Sequence, residues 1–156
     1  MIELVKAGER DRELLWNVNQ KYLYEMTNFY DDEMDEAGNY HYGYFEAYFT
    51  DPKREALLLY HDRQLIGFAM IHPYSYFGDT PDHVMAEFTV FPAFRRRHLA
   101  QEAAGAIFAG YPGRWEIKYN EHNVPAGTLW NKVTAAYRPE RKRYSDDETV
   151  LCFTAG

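Results

Sequence analysis

The sequence has very little cysteine and no long apolar run, and both absences limit what the protein is. A single cysteine, Cys152, cannot form a disulfide within the chain. No apolar stretch approaches the roughly 18 residues needed to cross a bilayer, and the opening residues lack the apolar core of a secretory signal. We therefore expect a cytoplasmic protein that makes no membrane contact.

Positive charge is also scarce, which argues against nucleic-acid binding. The chain has 17 Lys and Arg against 24 Asp and Glu, a formal net charge of -7. Nucleic-acid binding depends on clustered Lys and Arg residues that neutralise phosphates, and an acidic chain offers few of them. The six histidines include no pair at the His-x-x-x-His spacing of a helical metal site. We expect neither a nucleic-acid partner nor a bound metal.

The hydrophobic content is high enough for a folded core. Hydrophobic residues make up 46% and aromatic residues 17% of the 156 residues, including 14 tyrosines, so a disordered chain is excluded. Periodicity predicts a short strand, two helices separated by an acidic loop, three strands, a helix, a strand, a helix and a final strand pair. We therefore predict an α/β fold, a mixed sheet with helices on both faces, in a single domain over residues 1–156.

The segment from Val84 to Phe91 alternates as a strand does. Regular alternation puts one set of side chains on the first face, Val84, Ala86, Phe88 and Val90, and the other set on the second, Met85, Glu87, Thr89 and Phe91. A glutamate among such neighbours is expected to have a raised pKa. Glu87 is therefore a candidate general base, the alternative being a salt-bridged or surface residue of an amphipathic strand.

Three consecutive arginines, Arg95, Arg96 and Arg97, stand between this strand and a predicted helix of small residues. The first N–H groups of a helix lack partners, and the helix dipole adds partial positive charge at the same end. Guanidinium groups are planar donors that suit phosphate. The segment is either an anion site or a solvated charge run ahead of an ordinary helix.

The stretch from Val90 to Ala100 resembles the pyrophosphate-binding segment of the GNAT superfamily of N-acetyltransferases. In that family a strand ending in Val-x-Pro runs into Arg/Gln-x-x-Gly-x-Gly/Ala and a helix, and here Val90 and Pro92 precede the run from Arg95. Further on, Asn123, Ala126 and Trp130 are similar to the family's Asn-x-x-Ala-x-x-x-Tyr helix. With a hairpin around Gly67, the resemblance covers about residues 55–153.

The resemblance implies a mostly antiparallel, splayed sheet of the acyl-CoA N-acyltransferase type, with acetyl-CoA as the only cofactor. The pantetheine arm would lie where the fourth strand parts from the fifth, and the pyrophosphate would sit on the turn before the third long helix. The residues implied to bind the cofactor are Thr89, Val90, Arg95, Arg96, Arg97, His98, Leu99, Ala100, Asn123 and Trp130. The resemblance also places a catalytic glutamate of many members at Glu87.

Two residues depart from the family pattern. His98 replaces the central glycine of the phosphate turn, and we expect it to adopt a right-handed conformation, which a side chain tolerates. Trp130 stands where many members have a tyrosine that protonates the leaving thiolate, and an indole is no usable acid. Tyr119, Tyr137 and solvent are the candidates for that role.

The acceptor is left open by the sequence. The acidic and aromatic stretch from Tyr30 to Phe49 falls where the family places its acceptor loop, so it either attracts a cationic amine or is a solvated loop over a small aromatic core. The expected function is acetyl transfer to a primary amine of a small molecule or peptide, by a monomer or homodimer. The alternative is a non-catalytic module that binds acyl-CoA or a partner.

Overall fold

The computed structural model describes residues 1–156 and contains the predicted helices and strands in the predicted order. The helices are α1 (Arg12–Met26), α2 (Ala47–Thr50), α3 (Leu99–Gly110) and α4 (Val124–Thr134). The strands are β1 (Ile2–Lys6), β2 (Glu55–His61), β3 (Gln64–His72), β4 (His83–Val90), β5 (Gly113–Asn120), β6 (Glu140–Arg143) and β7 (Glu148–Ala155). None of the helices has the length and apolar character that a membrane span requires.

All seven strands form one sheet in the order β1-β2-β3-β4-β5-β7-β6. Every neighbouring pair is antiparallel except β4 and β5, which are parallel and pair only over His83–Met85 and Trp115–Ile117. After Met85 the two strands part, so the β5-facing edge of β4 has no strand partner. The splayed sheet expected from the sequence is therefore confirmed.

Helices cover both faces of the sheet because its central strands are apolar on both sides. On one face α3 and α4 pack into a core that includes Ile107, Trp115 and Trp130. On the other face α1 and the segment leading into α2 pack over Phe68 and Met70. The α1 face carries the loop between the first two helices, and this loop reaches the gap between β4 and β5.

A β-bulge in β4 corrects the predicted alternation. The pairing with β3 shifts so that Ala86 is an extra residue in β4. Met85 and Phe88 both contact the core under α3 and α4, whereas Ala86 contacts the core under α1. Glu87 also lies on the α1 side, where Tyr42 donates a hydrogen bond to it. Regular alternation, which placed Met85 with Glu87 and Ala86 with Phe88, was wrong because it allowed for no bulge.

Gly67 brings β3 unusually close to the end of β4. A Cβ atom at Gly67 would lie 2.0 Å from the carbonyl oxygen of Thr89, well inside van der Waals contact. Only glycine therefore permits this pairing. This close packing of β3 against β4 fixes the position of Thr89 and Val90 at the mouth of the gap between β4 and β5.

Candidate active site

A cavity of about 410 Å³ lies where β4 and β5 part. Residues from both faces of the sheet line it: Tyr22 and Met26 come from α1, Glu87 and Phe88 from β4, and Trp130 from α4. The gap in the sheet is therefore an opening through which groups bound on the two faces can meet. Seven of the 14 tyrosines line this cavity: Tyr22, Tyr30, Tyr42, Tyr44, Tyr48, Tyr76 and Tyr119.

Glu87 is a half-buried carboxylate in the wall of this cavity. Tyr42 donates its hydroxyl to Glu87 Oε2 at 2.9 Å, and the Tyr22 hydroxyl lies close to the same carboxylate. The cation whose charge acts on Glu87 is Lys118, whose ammonium is held 3.0 Å from Glu148 and against the rings of Tyr76 and Tyr144. Glu87 thus forms no ion pair.

Burial raises the pKa of Glu87 to about 7, although the nearby hydroxyls of Tyr42 and Tyr22 and the charge of Lys118 act to lower it. Burial also raises the pKa of Tyr42 and of Tyr22 far above their ordinary range, with the nearby Glu87 charge adding to the effect. Both phenols therefore stay protonated and act as donors. A carboxyl group with a pKa near neutrality can accept a proton at physiological pH.

The turn between β4 and α3 presents an unbroken row of free backbone donors. The N–H groups of residues 96–101 make no hydrogen bond, and the first helical bond of α3 runs from the N–H of Glu102 to the carbonyl of His98. The α3 N-terminus also has no side-chain cap. Free N–H groups at the positive end of a 12-residue helix suit a diphosphate. This turn therefore fits the implied cofactor.

The turn achieves this exposure through two left-handed residues. Arg96 has a φ of 63° and His98 a φ of 60°, both in the region that favours glycine. The expected right-handed conformation of His98 was therefore wrong. The family's glycine at this position could have predicted the left-handed value, since glycine adopts it without steric cost.

The three arginines do not act alike. Arg95 donates two hydrogen bonds to the Glu25 carboxylate, at 2.6 and 2.7 Å, and a third from Nε to the carbonyl of Val90 at 2.7 Å. It thereby ties the end of α1 to the end of β4. Arg96 and Arg97 are exposed and have no carboxylate partner. The phosphate role predicted for Arg95 stays a prediction, and it requires the side chain to leave Glu25.

The other residues implied to bind the cofactor lie around the same gap. Thr89 and Val90 are buried at the end of β4, Leu99 is buried and Ala100 half-buried at the start of α3. Asn123 accepts a hydrogen bond from the N–H of Ala126 as the N-cap of α4 and lines the cavity. Trp130 packs edge-on against Phe88, with ring centroids 4.9 Å apart.

The two tyrosines considered as acids lie in different places. Tyr119 lines the cavity, and its hydroxyl oxygen accepts a hydrogen bond from Asn131 at 3.1 Å. Tyr137 stacks on Phe153, with ring centroids 5.6 Å apart, and is absent from the cavity wall. Only Tyr119 is therefore positioned near the site.

The acidic and the aromatic residues of the loop between the first two helices lie in different environments. Its acidic residues from Asp31 to Glu36 are exposed, and of these only Asp32 lines the cavity. Its aromatic part supplies cavity-lining tyrosines, while Phe45 and Tyr48 are buried. Sequence reasoning had assigned the stretch from Tyr30 to Phe49 to the acceptor loop, but it did not predict that its tyrosines contact Glu87.

Comparison with known proteins agrees with this geometry. The profile of the acetyltransferase (GNAT) family matches residues 19–132. No curated protein matches the sequence. Among solved structures, an acetyltransferase from Thermus thermophilus superposes with a TM-score of 0.71 at 16% identity, covering 99% of this chain and 97% of that one.

Two further solved structures are acetyltransferases of named acceptors. A spermidine N-acetyltransferase from Vibrio cholerae, in complex with CoA and spermine, has a TM-score of 0.65 at 12% identity, over 99% of this chain and 95% of that one. A ribosomal-protein-S18-alanine N-acetyltransferase from Escherichia coli has a TM-score of 0.64 at 11% identity, over 100% of this chain and 95% of that one. At such identities the likeness concerns the fold.

An open sheet with a cavity at the gap and a turn of free N–H groups beside it is the arrangement expected of an acyltransferase that uses a CoA thioester. With the family profile matching most of its length, the chain belongs to the GNAT acetyltransferase family. It is therefore an acetyl-CoA-dependent acyltransferase, and the alternative of a non-catalytic module is set aside.

Proposed function

We propose that the protein transfers the acetyl group of acetyl-CoA to a primary amine, with Glu87 as general base. The observation that carries the proposal is a carboxylate with a pKa of about 7 in the wall of the cavity at the β4–β5 gap. An amine must lose its proton to attack a thioester, and a base with this pKa takes up that proton at neutral pH.

The chain's own groups account for the other requirements. The free N–H groups of residues 96–101, together with Arg96 and Arg97, would hold the diphosphate. The unpaired edge of β4 near Thr89 and Val90 offers backbone groups to an extended ligand. When bound, acetyl-CoA supplies the acetyl group as a thioester.

The proton needed by the departing thiolate has two sources. Tyr119 is the cavity-lining tyrosine already considered as an acid. Solvent is sufficient as well, because a thiolate leaves readily near neutral pH. Trp130 contributes packing against Phe88 and no proton.

Titration calorimetry with acetyl-CoA tests the cofactor. Saturable binding is expected, and Arg96→Glu should weaken acetyl-CoA more than a pantetheine ligand that lacks phosphates, since it reverses a charge beside the free N–H groups. Arg96 is preferable to Arg95 for this test, because Arg95→Glu would also set two carboxylates against each other at Glu25. An equal loss of affinity for both ligands would contradict the assignment of Arg96 to the phosphates.

Amine-dependent release of thiol from acetyl-CoA tests the reaction. A broad panel of amines should contain acceptors that release thiol above the rate of hydrolysis. If acetyl-CoA binds and no amine accelerates thiol release, the proposed transfer reaction is refuted.

A further inference from the structure

Another charged residue of the cavity, Arg54, has one long ion pair and no hydrogen bond of ordinary geometry. Its side chain is only 10% exposed, and the guanidinium carbon lies 4.7 Å from the ring centroids of both Tyr44 and Tyr74. The nearest carboxylate oxygen belongs to Asp51, 3.4 Å from Nε. Both Asp51 oxygens already accept hydrogen bonds, from the Tyr74 hydroxyl at 2.6 Å and from the N–H of Lys53 at 2.9 Å.

Aromatic stacking leaves the N–H groups of this guanidinium free. Rings contact the faces of the group, whereas its N–H groups point outward in the plane and match the two oxygens of a carboxylate. Apart from the 3.4 Å contact of Nε with Asp51, the Arg54 N–H groups make no hydrogen bond of ordinary geometry within the chain. The Arg54 charge is balanced by a single long ion pair with Asp51, so a largely buried guanidinium keeps N–H groups available to an anionic ligand.

Tyr48 provides a second, independent observation at the same place. The residue is 6% exposed and lines the cavity, and its hydroxyl has no hydrogen-bond partner of ordinary geometry although Arg54 and Tyr42 lie beside it. Buried hydroxyl groups are nearly always paired. An oxygen atom of a ligand held by Arg54 would give this hydroxyl its partner.

His72 adds a neutral donor at this end of the cavity. Burial and the adjacent Arg54 charge lower the pKa of His72 to about 4, so the ring is uncharged at neutral pH. Its Nδ1 accepts the N–H of Tyr74 at 3.1 Å, which leaves the ring proton on Nε2. The ring therefore does not repel a cation and can donate to an anion.

We infer that the acceptor is an amino acid or another amine bearing a carboxylate, with Arg54 and Tyr48 forming the subsite for that carboxylate. The inference rests on the proposed function, because it assigns the amine end of the acceptor to Glu87. Glu87 and Arg54 form no ion pair with each other, and Tyr42 and Tyr48 lie between them. A ligand that carries both an amine and a carboxylate would place its amine at Glu87 and its carboxylate at Arg54.

The other charged residues of the cavity do not form such a subsite. Lys118 is already paired with Glu148 at 3.0 Å, and Tyr30 donates a hydrogen bond to that same carboxylate at 2.8 Å. Asp32 is exposed on the acidic loop. Arg54 is thus the cavity cation whose hydrogen-bonding capacity is unfilled.

The test compares L-amino acids with their C-terminal amides, which keep the shape and the amine but have no negative charge, at a pH where both amines are protonated. Calorimetry in the presence of CoA measures binding of each pair to the wild-type protein, to Arg54→Met and to Tyr48→Phe. Arg54→Met keeps length and ring contact without charge, and Tyr48→Phe removes only the unpaired hydroxyl. Acetyl-CoA binding reports that each variant is folded.

We expect at least one amino acid to bind about 10- to 100-fold more tightly than its amide, the usual worth of charge-assisted hydrogen bonds. Arg54→Met should reduce that ratio to about one, and Tyr48→Phe should reduce it by several-fold. If no amino acid is preferred over its amide, or if the preference survives Arg54→Met, the inference is overturned.

Thiol release separates this inference from the proposed function. Acetyl-CoA-dependent turnover of simple amines without preference for a carboxylate would overturn the subsite and leave the transfer reaction standing. Charge-dependent binding of amino acids without thiol release would refute the transfer reaction and support the subsite.

Discussion

Replacing Glu87 with glutamine separates the chemistry of this carboxylate from its place in the fold. Glutamine keeps the shape and still accepts the hydrogen bond that Tyr42 donates at 2.9 Å, but it cannot take up a proton. We expect Glu87→Gln to lower turnover by roughly 10²- to 10⁴-fold, the usual contribution of a positioned base. The acidic limb of the wild-type pH–rate profile, with its midpoint near the pKa of about 7, should disappear.

The same substitution should make the protein more stable at alkaline pH. A pKa raised from 4.5 to about 7 means that the folded state favours the neutral carboxyl group. Its contribution to stability is full below the unfolded pKa and is lost as the pH rises through the folded pKa. This loss of folding free energy is at most about 3.5 kcal/mol, and about 1–3 kcal/mol once water in the cavity solvates part of the carboxylate.

Thermal unfolding measures this effect directly. Between about pH 4.5 and about pH 8 the melting temperature of Glu87→Gln should rise relative to wild type by roughly 3–10 °C, for a domain of this size. Glu116 provides a matched control, since it is a buried glutamate on the neighbouring β5 and accepts hydrogen bonds from Ser75 and from the N–H of Tyr76.

The control should respond in the opposite way. Glu116→Gln should lose stability, because it weakens two hydrogen bonds, and it should keep the acidic limb of the pH–rate profile. If Glu87→Gln retains that limb, or shows no pH-dependent gain in stability over wild type, then Glu87 is not a buried base and the reasoning from its environment fails.

Three further substitutions test the elements around the site. His98→Gly should raise the free energy of unfolding, measured in urea, by about 0.5–1 kcal/mol, because glycine adopts the left-handed conformation without strain. A lower free energy of unfolding would mean that the His98 side chain stabilises the turn. Gly67→Ala should cost about 1–3 kcal/mol in the same assay through its clash with Thr89, and a neutral result would mean that the strands separate freely. Glu25→Gln should release Arg95 and tighten acetyl-CoA binding up to about fivefold, whereas weaker binding would show that the pair positions the end of β4.

The local sequence was sufficient to predict the helices, the strands and their order. Apolar periodicity depends on neighbours within one or two turns, so the strand around Val84 to Phe91 and the helix after it could be identified without tertiary contacts. The turn from Arg95 to Ala100 is also local, and its resemblance to a known motif identified the family. Glu87 was singled out by its position on that strand.

Contacts between distant residues could not be predicted in this way. The pair between Arg95 and Glu25 joins positions 70 residues apart, and its assignment to phosphate had considered only the neighbouring sequence. The bulge at Ala86 depends on the register with β3, which alternation within β4 does not reveal. Its consequence is large, since it decides which face of the sheet each side chain before Glu87 occupies.

The sequence by itself determined the family, the elements and the presence of a glutamate on the strand beside the gap, because each is written in short stretches of chain. The tertiary structure alone decided what surrounds that glutamate and where a second charge lies. Tyr22 reaches the cavity from α1, Tyr42 and Tyr48 from the loop and α2, and Arg54 from the residue before β2. The pKa of Glu87 and the unfilled hydrogen bonds of Arg54 follow from burial among these groups, and burial is a property that only the folded chain possesses.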